Sequence, residues 1–249
     1  MEGDAQQRYG EGVERRARGE LEHAARCFLE ALATDPLLFA AGAALAETIV
    51  AELRSGRVAL PAPLPPVPLP PLSIVMCSIR PERFARATAA FRRALGKARY
   101  EIIGIHDARS LCDGYNRGVR ASRGEVLVLS HDDVDVLAPD FAARLARAIA
   151  HFDVVGVAGA TRLTGPAWGW AGHPDVHGWV AHRPGGQGAW RPGFWSPWPV
   201  VGGAVVLDGV FVAGRRSVFE DVRFDDATFD HFHCYDVDFT WRAARSGYR

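Results

Sequence analysis

The sequence predicts an α/β protein, a mainly parallel sheet flanked by helices and preceded by a small helical segment. Three observations carry that expectation. From residue 72 onward, short apolar runs alternate with stretches of helical periodicity, the pattern of strands joined by crossover helices. Before them, residues 60–71 read Leu-Pro-Ala-Pro-Leu-Pro-Pro-Val-Pro-Leu-Pro-Pro. Neither a helix nor a central strand accepts that run, because proline fixes φ and lacks a backbone donor, so it reads as a semi-rigid spacer. Residues 1–56 are rich in Ala, Glu, Arg and Leu at helical spacing, enough for two or three helices. The expected division is a helical segment over 1–56, a linker over 57–71 and one α/β domain over 72–249.

Within the first segment, Gly19-Glu-Leu-Glu-His-Ala24-Ala-Arg-Cys-Phe28-Leu-Glu-Ala31-Leu32-Ala-Thr-Asp35-Pro36 resembles the second half of a tetratricopeptide repeat. An ordinary helical hairpin accounts for it equally well. Such repeats need stacked neighbours. The segment is therefore expected to pack on the main domain, to pair with a second copy or another protein, or to end a longer array.

In the α/β part, Leu72–Ser78 reads as a buried strand. Pro81 opens a helix to about Leu95, with Phe84, Ala87, Phe91 and Leu95 on one face. Tyr100–His106 is a second strand, Leu111–Arg120 a helix, Glu125–Ser130 a third strand, Pro139–His151 a helix and Val154–Ala158 a fourth strand. Ligands of such sheets bind beyond the carboxyl ends of the strands.

Composition narrows the function. Apolar residues make up 48% of the 249, so a sizeable core is available. Lys plus Arg and Asp plus Glu are 29 each, which removes the general electrostatic case for a nucleic-acid partner. Cys27, Cys77, Cys112 and Cys234 form no CxxC pair and read as reduced thiols. The start, Met-Glu-Gly-Asp, lacks signal-peptide character, and the longest apolar run, Leu37–Ala46, is too short to span a membrane. The expected location is cytoplasmic, or peripheral at the inner membrane.

The strand ends carry the chemistry. The first leads into Cys77, Ser78 and Arg80, the second into His106, Asp107, Arg109 and Ser110, and the third into His131, Asp132, Asp133 and Asp135. Carboxylates this close repel, so something positive is expected among them. A hard divalent cation that also holds a diphosphate is one reading. A helix-capping acidic turn is the other. Further on, Asp236 and Asp238 stand at a helix start, where the dipole favours carboxylates. One of them is placed to take a proton from a hydroxyl, or simply to cap.

Taken in order, these blocks resemble glycosyltransferase family 2 and its relatives over residues 72–249. Asp107-Ala-Arg-Ser110 through Tyr115-Asn116, Gly118 and Gly124 to His131-Asp-Asp133-Val is similar to the run from nucleotide pocket to metal motif. The similarity is nearest to a bacterial subgroup with a His-x-Asp-Val metal motif. Val206-Leu-Asp208-Gly209 through Arg216 is similar to the donor-sugar strand and turn. Phe224-Asp225 through Tyr235-Asp236-Val-Asp238 and Arg242 to Gly247-Tyr248 is similar to the acceptor-side motif, with Tyr235 where an acid is usual.

The resemblance implies a Rossmann-like GT-A fold and transfer from a nucleoside diphosphate sugar to an acceptor hydroxyl with inversion. The acceptor would be a glycan, a lipid-linked molecule or a protein, in glycan or surface polysaccharide assembly. It further implies Mn2+ or Mg2+ held by His131 and Asp133 and a nucleotide held by Ser78, Asp107, Arg109, Asn116 and Asp132. Asp236 would be the base, with Asp208, Gly209, Trp195 and Asp238 around the donor sugar or acceptor. Such domains usually continue with another strand, often with a metal-ligating histidine, and this chain ends where that strand would begin, so either a truncated domain or an inactive natural variant is expected.

Residues 160–200, with Trp168, Trp170, Trp179, Trp190, Trp195 and Trp198, show little regular pattern. Packing is expected for most of these rings and acceptor stacking for one or two. Three rival functions stay open. A non-catalytic carbohydrate- or nucleotide-binding module would share the fold. A nucleotidyltransferase would share the acidic metal ligands, but usually has a glycine-rich first loop where this chain has Cys77-Ser-Ile-Arg-Pro81. An assembly role would rest on the N-terminal helices.

Overall fold

The computed structural model describes residues 2–35, 38–55, 68–138, 140–172, 174–182, 191–195 and 200–249. The chain divides into two compact units. One comprises residues 1–62 and 172–201, the other residues 63–171 and 202–249.

The first unit opens with three helices, α1 (Glu2–Ala17), α2 (Leu21–Thr34) and α3 (Phe39–Ser55). Gly19, at φ 77°, supplies the left-handed turn between α1 and α2. α2 buries Ala24, Phe28, Ala31 and Leu32 against Ala41, Ala44 and Leu45 of α3, with Tyr9 of α1 on Phe28. Most of the proline-rich stretch lies outside the described residues.

The second unit carries the sheet. In chain order it contributes β1 (Leu72–Cys77), α4 (Pro81–Leu95), β2 (Tyr100–Ile105), α5 (Leu111–Ala121) and β3 (Val126–Ser130). Next come α6 (Phe141–His151), β4 (Val154–Gly156) and β5 (Ala158–Ala160). The expected single strand over 154–158 is two. β4 joins the central sheet, and β5 pairs with a later strand. α6 starts at Phe141 rather than 139, a residue outside the described set, and Asp140 stands at its N-cap.

The chain then gives the first unit a hairpin, β6 (Val176–His182) and β7 (Arg191–Phe194), with Trp179 opposite Phe194. So the 160–200 segment holds more regular structure than its sequence pattern predicts. The second unit resumes with β8 (Val206–Leu207), β9 (Phe211–Arg215), α7 (Arg216–Val222) and α8 (Tyr235–Arg245).

The central sheet runs β2-β1-β3-β9-β4. β1 is parallel to β2 and β3, and only β9 is reversed, antiparallel to both β3 and β4. Alternation along the strands builds a core on each face. Ile74, Met76, Val126 and Val128 meet α4 and α6 through Ala87, Phe91, Leu145 and Ile149. Val75, Leu127 and Leu129 meet α5, α7 and α8 through Tyr115, Val119, Phe219 and Phe239. On the latter face, Gly118 lets α5 approach β1, since a Cβ there would overlap Val75.

Candidate active site

β1, β2 and β3 end at the same edge, and reversed β9 begins there, so residues just after the first three and just before the last converge. Ser78, next to the end of β1, is buried, and its hydroxyl donates to Asp132 at 2.6 Å. His106 beyond β2 donates from Nδ1 to the Ser78 carbonyl at 2.8 Å, and its ring meets Phe84 edge-on. These contacts fasten the first two strand ends to the acidic turn after the third.

A cation does stand among the carboxylates of that turn. Arg83, in the first turn of α4, lies 3.5 Å from Asp133 and 3.8 Å from Asp132. Arg93, from the last turn of the same helix, pairs with Asp135 at 3.0 Å. Crowded carboxylates required a positive neighbour, but nothing in the acidic motif said which one. Asp133 keeps the freer carboxylate, 55% exposed against 16% for Asp132.

On the other side of the turn, His131 Nε2 lies 2.9 Å from the hydroxyl of Tyr235, the first residue of α8. Asp236, next along, accepts from the Gly209 N–H at 2.8 Å. Gly209 is held to its size, because a Cβ would overlap the Tyr235 hydroxyl. Asp208 accepts from Trp168 Nε1 at 2.6 Å and from the Val210 N–H at 2.8 Å. Cys234, just before α8, is left-handed at φ 62°, local strain of the kind that gathers at functional sites.

Burial pushes the Asp236 carboxyl above its ordinary value, with the Asp208 charge adding to the effect and the N–H groups of Gly209 and Val237 opposing it. Burial also raises the Cys77 thiol to about 12, which leaves it a poor nucleophile. Among the described residues the four cysteines are free.

The remaining sequence-derived positions are placed differently. Asp107 pairs with Arg117 at 2.6 Å, and Arg109, largely exposed, pairs with Asp113 at 3.1 Å. The Arg109 N–H and side chain, together with Arg117, hold the Asp113 carboxyl below its usual range. Asn116 bonds both backbone groups of Phe224, at 2.9 and 3.1 Å, and so ties α5 to the loop after α7. Asp238 makes a two-pronged ion pair with Arg242 inside α8. Trp195 belongs to the first unit, where its N–H donates to Gly178. Trp190 and Trp198 lie outside the described residues.

Among the described residues no three His, Cys, Asp or Glu side chains converge as a metal cage.

An open α/β sheet with buried and exposed carboxylates at its carboxyl edge places the chain among proteins whose ligand crevice lies beyond the strand ends. Residues 73–249 match the sequence model described as "Glycosyltransferase like family", and the chain belongs to that family. Among solved structures it is similar to the mannosyltransferase PcManGT from Pyrobaculum calidifontis in complex with GDP-Man and Mn2+. The identity is 12% and the TM-score 0.46, over 81% of this chain and 60% of that one. No curated protein is significantly similar to it. Among the described residues no helix is long and apolar enough to cross a membrane.

Proposed function

We propose that the chain transfers a sugar from a nucleoside diphosphate sugar to an acceptor hydroxyl, with residues 72–249 as the catalytic domain and residues 1–56 as an assembly segment. The observation that carries this reading is Asp236. It is a carboxyl raised by burial, fixed by the Gly209 N–H, at the start of α8 beside the His131 strand end. A base in that environment takes the acceptor proton as the hydroxyl oxygen attacks the anomeric carbon. The bond from that carbon to the diphosphate oxygen breaks on the opposite side, the nucleoside diphosphate leaves, and the configuration inverts.

Ser78 and Asp132 form the buried floor of the proposed nucleotide site, with Asp107 and Arg109 at its exposed rim. Asp208 and Gly209 stand on the donor-sugar side. His131 and Asp133 would hold Mn2+ or Mg2+, which when bound neutralises charge on the departing diphosphate. Arg83 already brings positive charge to Asp132 and Asp133, and this supports diphosphate binding that is strengthened by the metal rather than wholly dependent on it.

Calorimetric titration with UDP and GDP, each with and without Mn2+, tests the reading. Metal-strengthened binding that falls in Asp133→Ala is expected. A folded protein that binds neither nucleotide turns the assignment toward a non-catalytic module.

A further inference from the structure

The chain as a whole is balanced, with 29 basic and 29 acidic residues, but its charge is unevenly spread. α1, α2, α6 and α8 each pair an arginine with an acid four residues earlier: Arg15 with Glu11, Arg26 with Glu22, Arg144 with Asp140 and Arg242 with Asp238. α4 and its flanks do not. From Arg80 to Arg99 there are seven basic residues and a single acid, Glu82. Arg83 and Arg93 reach carboxylates of the turn after β3. Arg80, Arg86, Arg92, Lys97 and Arg99 are exposed, and among the described residues none of them has a carboxylate within ion-pair distance, Glu82 included.

The helix decides which way these charges face. Phe84, Ala87, Phe91 and Leu95 pack into the core, so Arg86, Arg92 and Arg93 lie on the opposite, solvent side. The result is one basic strip, from Arg80 at the carboxyl edge of the sheet to Arg99 just before β2. Like charges gathered this way repel one another, and a surface of this sign attracts an anionic partner. Exposed aliphatic side chains border the strip. Ile79, beside Arg80, is 81% exposed. Leu137, 60% exposed, follows two residues after Asp135, the partner of Arg93.

A partner with phosphates above an apolar layer suits both features. Guanidinium forks bind the phosphates while their aliphatic stems, Ile79 and Leu137 enter the layer below. A nucleic acid would use the charges alone. The solvent side of α4 sets Ala85 and Ala89 among its arginines and offers no aromatic ring for base stacking.

We propose that the solvent side of α4 docks on an anionic lipid bilayer, with Arg80, Arg86, Arg92, Lys97 and Arg99 on the headgroup phosphates. Because the strip begins at the carboxyl edge, docking brings the crevice beyond the strand ends to the lipid surface. The proposal goes beyond the transfer reading and does not depend on it, since it uses none of the nucleotide-site residues.

The test is flotation of the full chain with vesicles of phosphatidylcholine alone or mixed with phosphatidylglycerol. Binding is expected to the mixed vesicles only, and to weaken as salt screens the charges. Arg86→Gln, Arg92→Gln and Lys97→Gln together remove three exposed charges. That variant should keep the wild-type Tm and partition to the mixed vesicles roughly a hundredfold less. Replacing Arg18, Arg26 and Arg120 by Gln removes equal charge elsewhere and should leave binding nearly unchanged. Ile79→Ser should weaken vesicle binding at unchanged charge. No binding to mixed vesicles, or equal losses in the two triple variants, overturns the proposal. Binding to single-stranded RNA without binding to vesicles overturns it too, and assigns the strip to nucleic acid. Nucleotide titration is scored apart, so failure of the donor site and failure of the lipid surface are told from one another.

Discussion

The Asp236 carboxyl makes opposite demands on stability and on chemistry. Its folded pKa is raised, chiefly by burial, so the folded chain binds that proton more tightly than the unfolded chain does. Stability therefore falls as pH rises from the ordinary aspartate range through the folded value, and above it the buried charge is a standing cost. The proposed role as base needs the opposite state, because only the carboxylate accepts a proton. Asp236→Asn is thus expected to match or exceed the wild-type Tm at neutral pH. It should keep nucleotide affinity and lose turnover by about a hundred- to ten-thousand-fold. Wild-type turnover should rise with pH, with a midpoint above the usual aspartate range. Near-normal turnover in the Asn variant would remove Asp236 as the base. Much of the candidate site was legible at this scale because Ser78, His131, Asp132 and Asp133 fall just past apolar runs, and local sequence shows where strands end. Arg83 and Trp168 were not legible as site residues, since their partners Asp133 and Asp208 lie 50 and 40 positions away. Asn116 and Asp238 were named as site candidates without their partners. Sequence reveals that a side chain can bond, but not that its partner is the Phe224 backbone or Arg242.

Helix α8 carries both Tyr235 and Asp236, so whatever fixes the helix fixes the site. Arg242 grips Asp238 at 2.6 and 2.9 Å and reaches across to the carbonyls of Val222 at 2.7 Å and Arg223 at 2.8 Å, closing the end of α7. Its planar fork meets several acceptors at once, as an ammonium does not. Arg242→Ala strands those acceptors and is expected to cost about 2 kcal/mol. Urea denaturation checks this, and Arg242→Lys should recover only part of the loss. An unchanged midpoint in Arg242→Ala would show that α8 is seated by Phe239 and Ala243 alone. Elements of this unit were legible to different degrees. β1, β2, β3, α4 and α5 announce themselves by local apolar spacing, and Ser110 caps α5 by accepting from the Asp113 N–H. The insertion of β9 between β3 and β4 did not show. It depends on pairing Val126 with Arg215, and no local pattern encodes a partner that distant or its antiparallel sense.

At the scale of the chain, the two units have separate cores. The clusters on the two faces of the sheet draw their residues from 63–171 and 202–249, while the helical cluster draws from residues 9–49. What sequence could not show is that residues 172–201 group with the N-terminal helices, through contact between α3 and β7. A composition shift marks a linker, but it does not tell which unit a distant excursion joins. This gives a test of how the parts depend on one another. Deleting residues 1–67 leaves both sheet clusters with nearly all their packing, so the shortened chain should still unfold cooperatively and bind nucleotide with little change. The β6–β7 hairpin, in contrast, loses the α3 surface, and a two-stranded hairpin is marginal by itself. Limited proteolysis should therefore cut within 172–201 in the shortened chain at protease levels that spare the same region of the full chain. If nucleotide binding disappeared while the sheet unit stayed folded, the helical unit would contribute to the donor site rather than only to assembly. If the hairpin stayed protected, the α3–β7 contact would not be what holds it.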